Sequence, residues 1–499
     1  MGGRFLMCEC TTLSQNHCVI LPAPFQGAYK SSVSLRKLAF GKKLISPLKG
    51  EVAASEASRR KGCAKIEEKY MLRKLLILSV LLFTFIFASA AVAAEQIRIG
   101  IVVGQATAEL SCEDEFVVRD SYGKTTTMPK GKYFIHAQQG KLFFDDKNEF
   151  GNEAFVAAAA GKSSPQINKR SYKGDFQLQA EQGDKLLVVN RLSLEDYLES
   201  VLPAKTMSVW PDEVIKAQAV AARSYALFKM QHSDKAYALL ATDRELPYGG
   251  TGKRIEKDAV TKLIQATKGQ YLVDAYGRAI EAVTTSSSGG RTESALNLRG
   301  TAVSYLQSVA DYDSDSPEYT WESRISPALL ESLAAQRGYT TGKLTSIRLS
   351  PLDDAGVDRT PTGRVKYIIL SGEAGAAKIS GSELQDLLGL NSTLFDIETG
   401  TPVPETLKVP IEDHYGMEIG SKDIGIKVNE SKKPVWKNLV RSYHLLGGGK
   451  EEKIIFRGKG KGSGLGLSAW GARGMANADT KATYKTILAH YYPGTQLVR

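Results

Sequence analysis

Cysteine is scarce in this chain of 499 residues. There are five, and four of them (Cys8, Cys10, Cys18 and Cys63) fall in the first 70 residues. Beyond that point only Cys112 remains, which excludes an intramolecular disulfide framework there and suits an oxidising compartment. Histidine is also sparse. His136, His232, His414 and His444 show no metal-ligand spacing, and Cys8, Cys10, His17 and Cys18 match no common zinc pattern, so neither a metal nor a cofactor is expected. A phosphate-binding loop is missing, because Gly460-Lys461-Gly462-Ser463 stands where a Gly-Lys-Ser/Thr signature would be needed. No internal repeat is visible. Most of the chain also lacks an excess of charge. Of the net +11, residues 1–70 hold +7 and residues 71–94 hold +2, which leaves +2 on residues 95–499. That near-neutral body has no basic footprint for nucleic acid. With 42% apolar and 24% charged residues the composition is globular, which excludes a disordered, collagen-like or polytopic membrane chain.

Residues 71–94 carry the features of a secretory leader. Met71 precedes Arg73 and Lys74, an apolar run extends from Leu75 to Phe87, and the small residues Ala88-Ser89-Ala90 and Ala91-Val92-Ala93 offer cleavage sites. An uncleaved anchor helix is the other reading, although the run is near the short limit for a span. A leader belongs at the start of a chain, so Met71 is expected to be the true start, with residues 1–70 an untranslated or disordered extension. The protein is accordingly expected to be exported to the periplasm or cell envelope, membrane-anchored if the leader is retained.

From Ile97 to about Leu194, short β-type runs alternate with turn signals at Gly123, Gly140, Gly151 and Gly183, which predicts a β-rich lobe. Leu194–Leu198 then opens a short helix. A stronger helix follows Trp210, with Pro211 suited to its first position and Asp212 and Glu213 to the positive end of its dipole. Its apolar positions Val214, Ala217, Val220, Ala221, Tyr225 and Phe228 recur at helical spacing, and its alanines permit close packing. A helix over 258–268, β structure within 343–372, a helix over 380–388 and a final helix carrying Tyr484, Ile487, Leu488 and Tyr491 complete the reading. Two polar, glycine-bearing stretches stand out, Ser286-Ser287-Ser288-Gly289-Gly290-Arg291-Thr292-Glu293 and the glycine-crowded run 458–474. The expected fold class is α+β, a β-rich N-terminal lobe with a mixed α+β core. Its parts are the β-rich lobe 95–180, the core 181–399, a surface insertion 400–453, and a glycine-rich motif with a helix over 454–499 that completes the core.

Three segments together resemble the stage II sporulation protein D / amidase-enhancer (SpoIID/LytB) family. They are Leu194–Leu198 continuing through Trp210-Pro211 to Lys216–Ala226; Ser286–Ser294, with Tyr248-Gly249-Gly250 upstream; and Gly464–Ser468 with Trp470-Gly471-Ala472, Gly474-Met475-Ala476 and His490–Thr495. The resemblance implies a SpoIID-like core and binding to peptidoglycan glycan strands. It also implies one of two activities: lytic transglycosylation of strands stripped of stem peptides, or assistance to a cell-wall amidase. Transglycosylation needs a proton donor at the glycosidic oxygen and then a base, roles one carboxyl of raised pKa can fill in turn.

The departures from the pattern bear on that choice. The family's catalytic glutamate lies six residues before the proline of Trp210-Pro211, where this chain has Lys205. An ammonium is a poor acid here and repels an oxocarbenium-like transition state. The family's His before its glycine motif is Ser463, the following Gln is Ala469, and the His before the Ser-Ser-Gly-Gly turn is Thr285. No catalytic residue is therefore assigned, and the expected glycan-cleft residues are Lys205, Ser286, Ser287, Arg291, Glu293, Ser463, Ser468 and Trp470. Trp210 is read as a helix-entry anchor, Arg223 as a buried organiser and His490 as a packing residue. The expected function is glycan binding with modulation of a wall hydrolase. An active transglycosylase with a relocated acid, for which Glu199 and Glu213 are nearby carboxylates, and a structural envelope protein without glycan affinity are the alternatives.

Overall fold

A computed structural model describes residues 96–499 apart from 206–209, 244–245, 252–256, 400–405, 413–417, 426–441, 448, 450–451 and 480. Residues 71–94, expected to be a leader, and the first 70 residues with their cysteines lie outside the described residues. The fold is α+β, with a β-rich N-terminal region.

Two sheets build that region. The first runs in the order Leu239–Leu240, Gln96–Gln105, Lys185–Ser193, Asp175–Glu181, Glu153–Ala158, Phe116–Asp120, Thr125–Met128. The second contains Thr107–Cys112 and Gly131–Gln138 at its centre. Strands such as Gly131–Gln138 alternate buried and exposed residues, because one face meets the core and the other meets water. Lys185–Ser193 instead buries five consecutive residues, Leu186 to Asn190. It pairs with Gln96–Gln105 on one edge and Asp175–Glu181 on the other, so the helical layer covers what the second sheet does not.

Two helices continue from this sheet. Leu194–Lys205 buries Leu194, Tyr197, Leu198, Val201 and Leu202, a single stripe at helical spacing. The helix Asp212–His232 begins one residue later than its sequence suggests. Pro211 sits at the cap with an extended ψ of 139°, while Asp212 and Glu213 occupy the first turn. The small residues Ala217, Ala219, Ala221, Ala222 and Ala226 bury almost its whole circumference. Inside, Arg223 forms a bidentate pair with Glu195 (Nε–Oε1 and Nη2–Oε2 both 2.8 Å) and donates to the Gln270 carbonyl at 2.9 Å. A buried cation so fully paired joins three elements, and this agrees with the organising role expected of it.

A second apolar core gathers around Leu330, Ile347, Ile368, Leu370, Leu384, Phe395 and Phe456. It is built on a sheet ordered Gly375–Ser380, Tyr367–Gly372, Leu344–Arg348, Tyr443–Leu445 and a sheet ordered Thr320–Ile325, Ile454–Lys459, Phe395–Thr399. The helix Gly381–Leu388 starts at Ser380, whose hydroxyl accepts from the Glu383 amide, a standard N-cap. Within 400–453, Thr406–Glu412 pairs with Glu418–Gly425 and with no other described strand, whereas Tyr443–Leu445 extends the second core's sheet. After Ile454–Lys459 the chain leaves the second core, passes through the glycine run and returns to the first, where helices Ala469–Ala478 and Tyr484–Tyr491 and strand Gln496–Val498 pack.

Candidate functional site

The glycine run lies along the Ser-Ser-Gly-Gly turn. Gly460, Gly462, Gly464 and Gly466 all have positive φ, between 65° and 104°. At Gly466 a Cβ would meet the Val283 carbonyl at 2.0 Å, and at Gly464 it would meet the Arg364 guanidinium at 2.1 Å, so both conformation and space require glycine. The backbones exchange hydrogen bonds, Ser287 N to Lys461 O at 3.1 Å and Lys461 N to Ser287 O at 2.8 Å. Beyond them Thr284–Thr285 pairs in parallel with Leu467–Ser468, and the Trp470 amide donates to Ser286 O at 3.0 Å.

Beside this ribbon is a cleft of about 1150 Å³. Trp210 and Trp470 line it together in an edge-to-face arrangement, with ring centroids 5.5 Å apart. Hydroxyls and amides complete much of the wall, from Thr285, Ser286 and Ser463 on one side and Ser380, Gln385 and Thr393 on the side of the second core. Glu318 is the one carboxylate among the described lining residues, and its Oε1 lies 3.1 Å from Lys461 Nζ.

The expected site residues divide into three groups. Ser286, Ser463 and Trp470 line the cleft, as do Ala469 and Thr285. Ser287, Glu293 and Ser468 are fully buried behind the wall. Glu293 there accepts from the Ser294 amide at 2.8 Å, from Asn297 Nδ2 at 2.7 Å and from the Thr362 hydroxyl. Arg291 lies on the exposed side of the turn, donates to Ser308 Oγ at 3.0 Å and does not reach the cleft. Lys205 ends the helix Leu194–Lys205, three residues beyond the cleft-lining Leu202, and its side chain lies outside the description. Neither nearby carboxylate lines the cleft. Glu199 accepts from Lys173 Nζ and Gln265 Nε2, each at 2.8 Å. Glu213 accepts from Lys216 Nζ and the Tyr484 amide, each at 2.7 Å. Burial disfavours its charge, but these donors outweigh burial and hold its pKa below the usual range, the wrong direction for a general acid.

Three residues that organise the turn were not read from sequence. Asp313 accepts from Ser287 Oγ at 2.6 Å and from the Gly289 and Gly290 amides at 2.8 and 2.9 Å. Asp311 accepts from Ser288 Oγ at 2.5 Å and Tyr491 Oη at 2.6 Å, and burial together with the neighbouring Asp313 charge raises its pKa. Arg364 is buried and donates to Ser288 O at 2.8 Å. Burial pulls its pKa down to about 10 against the opposing pull of Glu293 and Asp313. The Asp311-Tyr312-Asp313 run is visible in the sequence, but nothing local ties it to a turn more than 20 residues away. His490, inside the third motif, hydrogen-bonds Ala310 O at 2.8 Å and packs edge-on against Tyr491.

A polar, aromatic-lined cleft walled by a glycine ribbon on an α+β core is the arrangement that the three sequence motifs share. Residues 182–273 match the family model described as stage II sporulation protein. The chain is 29% identical over 318 residues to an uncharacterised protein of Brachyspira hyodysenteriae, covering 63% of this chain and 69% of that one. It is 25% identical to the amidase enhancer of Bacillus subtilis, covering 79% of this chain and 52% of that protein, so it spans about half of that relative's length. It is 23% identical to stage II sporulation protein D of the same organism, over 62% of this chain and 75% of that one. Over the matched residues the chain is thus similar to stage II sporulation protein D and the amidase enhancer. Among the described residues no helix is long and apolar enough to cross a membrane.

Proposed function

We propose that this protein is an exported cell-wall protein that binds peptidoglycan glycan strands in the cleft and acts on the wall by modulating a hydrolase such as an amidase, without strong catalysis of its own. The amidase enhancer among its relatives supports the second half of this reading. One observation carries the rest. The cleft offers sugar-facing chemistry in Trp470, Ser286 and Ser463, yet the one carboxylate among its described lining residues is paired with Lys461, and Lys205 stands where the resemblance places the family's acid. Indole faces and hydroxyls suit pyranose rings. Cleavage to an anhydro sugar needs a proton donor of raised pKa, and Glu199 and Glu213 both lie outside the cleft in bonds of their own.

The test is mass spectrometry of muropeptides released from denuded glycan strands by the purified protein and by Lys205→Glu, run beside a pull-down on purified sacculi. Retention on sacculi with no anhydro product is expected. Anhydro product from the unmodified protein would overturn the non-catalytic reading and turn attention to Glu318. Absence from the sacculi would overturn the glycan reading and leave a structural envelope role. Product from Lys205→Glu alone would place the loss of chemistry at that one position.

A further inference from the structure

We propose that Lys366 is the residue with which the cleft recognises carboxylates on a bound glycan, a specificity determinant that rests on the glycan-binding reading above. The argument starts from the charges on the described lining, which are Arg299, Lys366, Lys461 and Glu318. Arg299 is committed to Glu281, with Nη1–Oε2 at 2.6 Å, and Lys461 to Glu318 at 3.1 Å. Lys366 is exposed and stands among Ser380, Ser382, Gln385 and Thr393, with no acidic partner in the described structure.

The backbone under Lys366 is fixed on every side. The Val365 amide donates to Thr393 O at 2.8 Å, the Lys366 amide donates to Asp358 O at 2.7 Å, and Lys366 O accepts from the Gly381 amide at 2.9 Å. Two residues earlier, Arg364 is anchored to the Ser-Ser-Gly-Gly turn. The base of this ammonium is therefore held at a set place on the wall of the cleft that the aromatic pair also lines. A cation that has hydroxyl and amide neighbours but no structural counter-ion retains its full attraction for a ligand's negative charge. Its attraction is that of a compact point charge and requires no planar, bidentate partner. A saccharide resting against the exposed part of Trp470 and carrying a carboxylate has both complements. On peptidoglycan such a carboxylate comes from the lactyl ether of a denuded muramyl residue or from an attached stem peptide.

The test measures binding of the protein and of Lys366→Gln to three immobilised ligands: denuded glycan strands, peptide-bearing strands and chitin oligomers of the same length, which are neutral. The protein is expected to bind at least one carboxylated strand roughly threefold to tenfold more tightly than chitin at low salt, with the margin shrinking as salt rises. Lys366→Gln should lose that margin and Lys366→Arg should recover most of it. A preference confined to denuded strands assigns the lactyl carboxylate, and one confined to peptide-bearing strands assigns the stem peptide. Equal binding of all three ligands by the unmodified protein, or a preference that survives Lys366→Gln, overturns the proposal. Binding to none of them defeats the glycan reading itself, a separate and recognisable result. Because Lys366 is exposed, the thermal midpoint of Lys366→Gln should match that of the parent.

Discussion

Replacing Asp313 with alanine should unfasten the cleft from behind. The side chain is 1% exposed and accepts three hydrogen bonds, from the Ser287 hydroxyl and from the Gly289 and Gly290 amides. Hydrogen bonds to a charged acceptor are worth roughly 1.5–3 kcal/mol each. Their full sum is not expected, for two reasons. Gly289 and Gly290 are only half-buried, so water can reach their freed amides, and removing Asp313 also relieves its repulsion of the half-buried Asp311. The net loss should be about 3–5 kcal/mol, and Asp313→Asn, which keeps one acceptor oxygen, should lose about half of that. Urea denaturation of the parent, Asp313→Ala and Asp313→Asn measures this directly. The turn also holds Ser286, whose carbonyl accepts from the Trp470 amide, so sacculus binding should weaken by roughly tenfold for the alanine variant under conditions where it is still folded. A loss below about 1 kcal/mol would refute the claim that Asp313 fastens the turn.

Two further outcomes follow from the same structure. Gly464→Ala should cost about 3–5 kcal/mol, because it combines a left-handed alanine with displacement of the buried Arg364 guanidinium, whereas Gly389→Ala, also at positive φ but with nothing within 4 Å, should cost only about 1 kcal/mol; equal losses in chemical denaturation would refute the steric argument. At His444, burial pulls the ring pKa down from 6.5 to about 4, and Nε2 has no partner, so the neutral ring is the folded form. The unfolded chain then takes up a proton that the folded chain refuses, so stability is full above pH 6.5 and falls as the pH drops towards 4, by roughly 1.5 kcal/mol between pH 6.5 and 5. His444→Gln should flatten that part of the profile, and an unchanged slope would show that other groups set it.

The helices were legible because their signals are local. Asp212–His232 announces itself through Pro211, two acids in the first turn and a run of alanines, and only its first residue shifts. Ser380 reads equally well as the start of Gly381–Leu388, which it caps. The two motifs that face each other at the cleft could also be found by eye. Their side-chain orientation could not, because a tight turn does not declare which hydroxyl faces outward. Ser286 lines the cleft while its neighbour Ser287 is buried on Asp313. Glu293 looks like a cleft carboxylate in sequence, yet its oxygens hold Ser294, Asn297 and Thr362. Arg364 lies 76 residues from the carbonyl it binds, and no periodicity encodes a contact of that kind. Trp210 reads as a helix-entry anchor, and it is 6% exposed, yet what surface it keeps belongs to the cleft.

The path of residues 454–499 sets the order in which the protein can be made. This stretch contributes the central strand of a sheet in the second core, the glycine ribbon, Trp470, and the strand Gln496–Val498 that pairs with Tyr271–Val273. A chain emerging from its N-terminus can form the β-rich region early, since those strands pair among themselves. The cleft, in contrast, waits on residues 454–499, which emerge after its other segments. Until they arrive, Ser287 and Ser288 lack the ribbon that brackets their turn, and the cleft lacks the wall that the ribbon and Trp470 supply. A product cut short before residue 454 would therefore fold in part and lack the glycine ribbon and Trp470 side of the cleft.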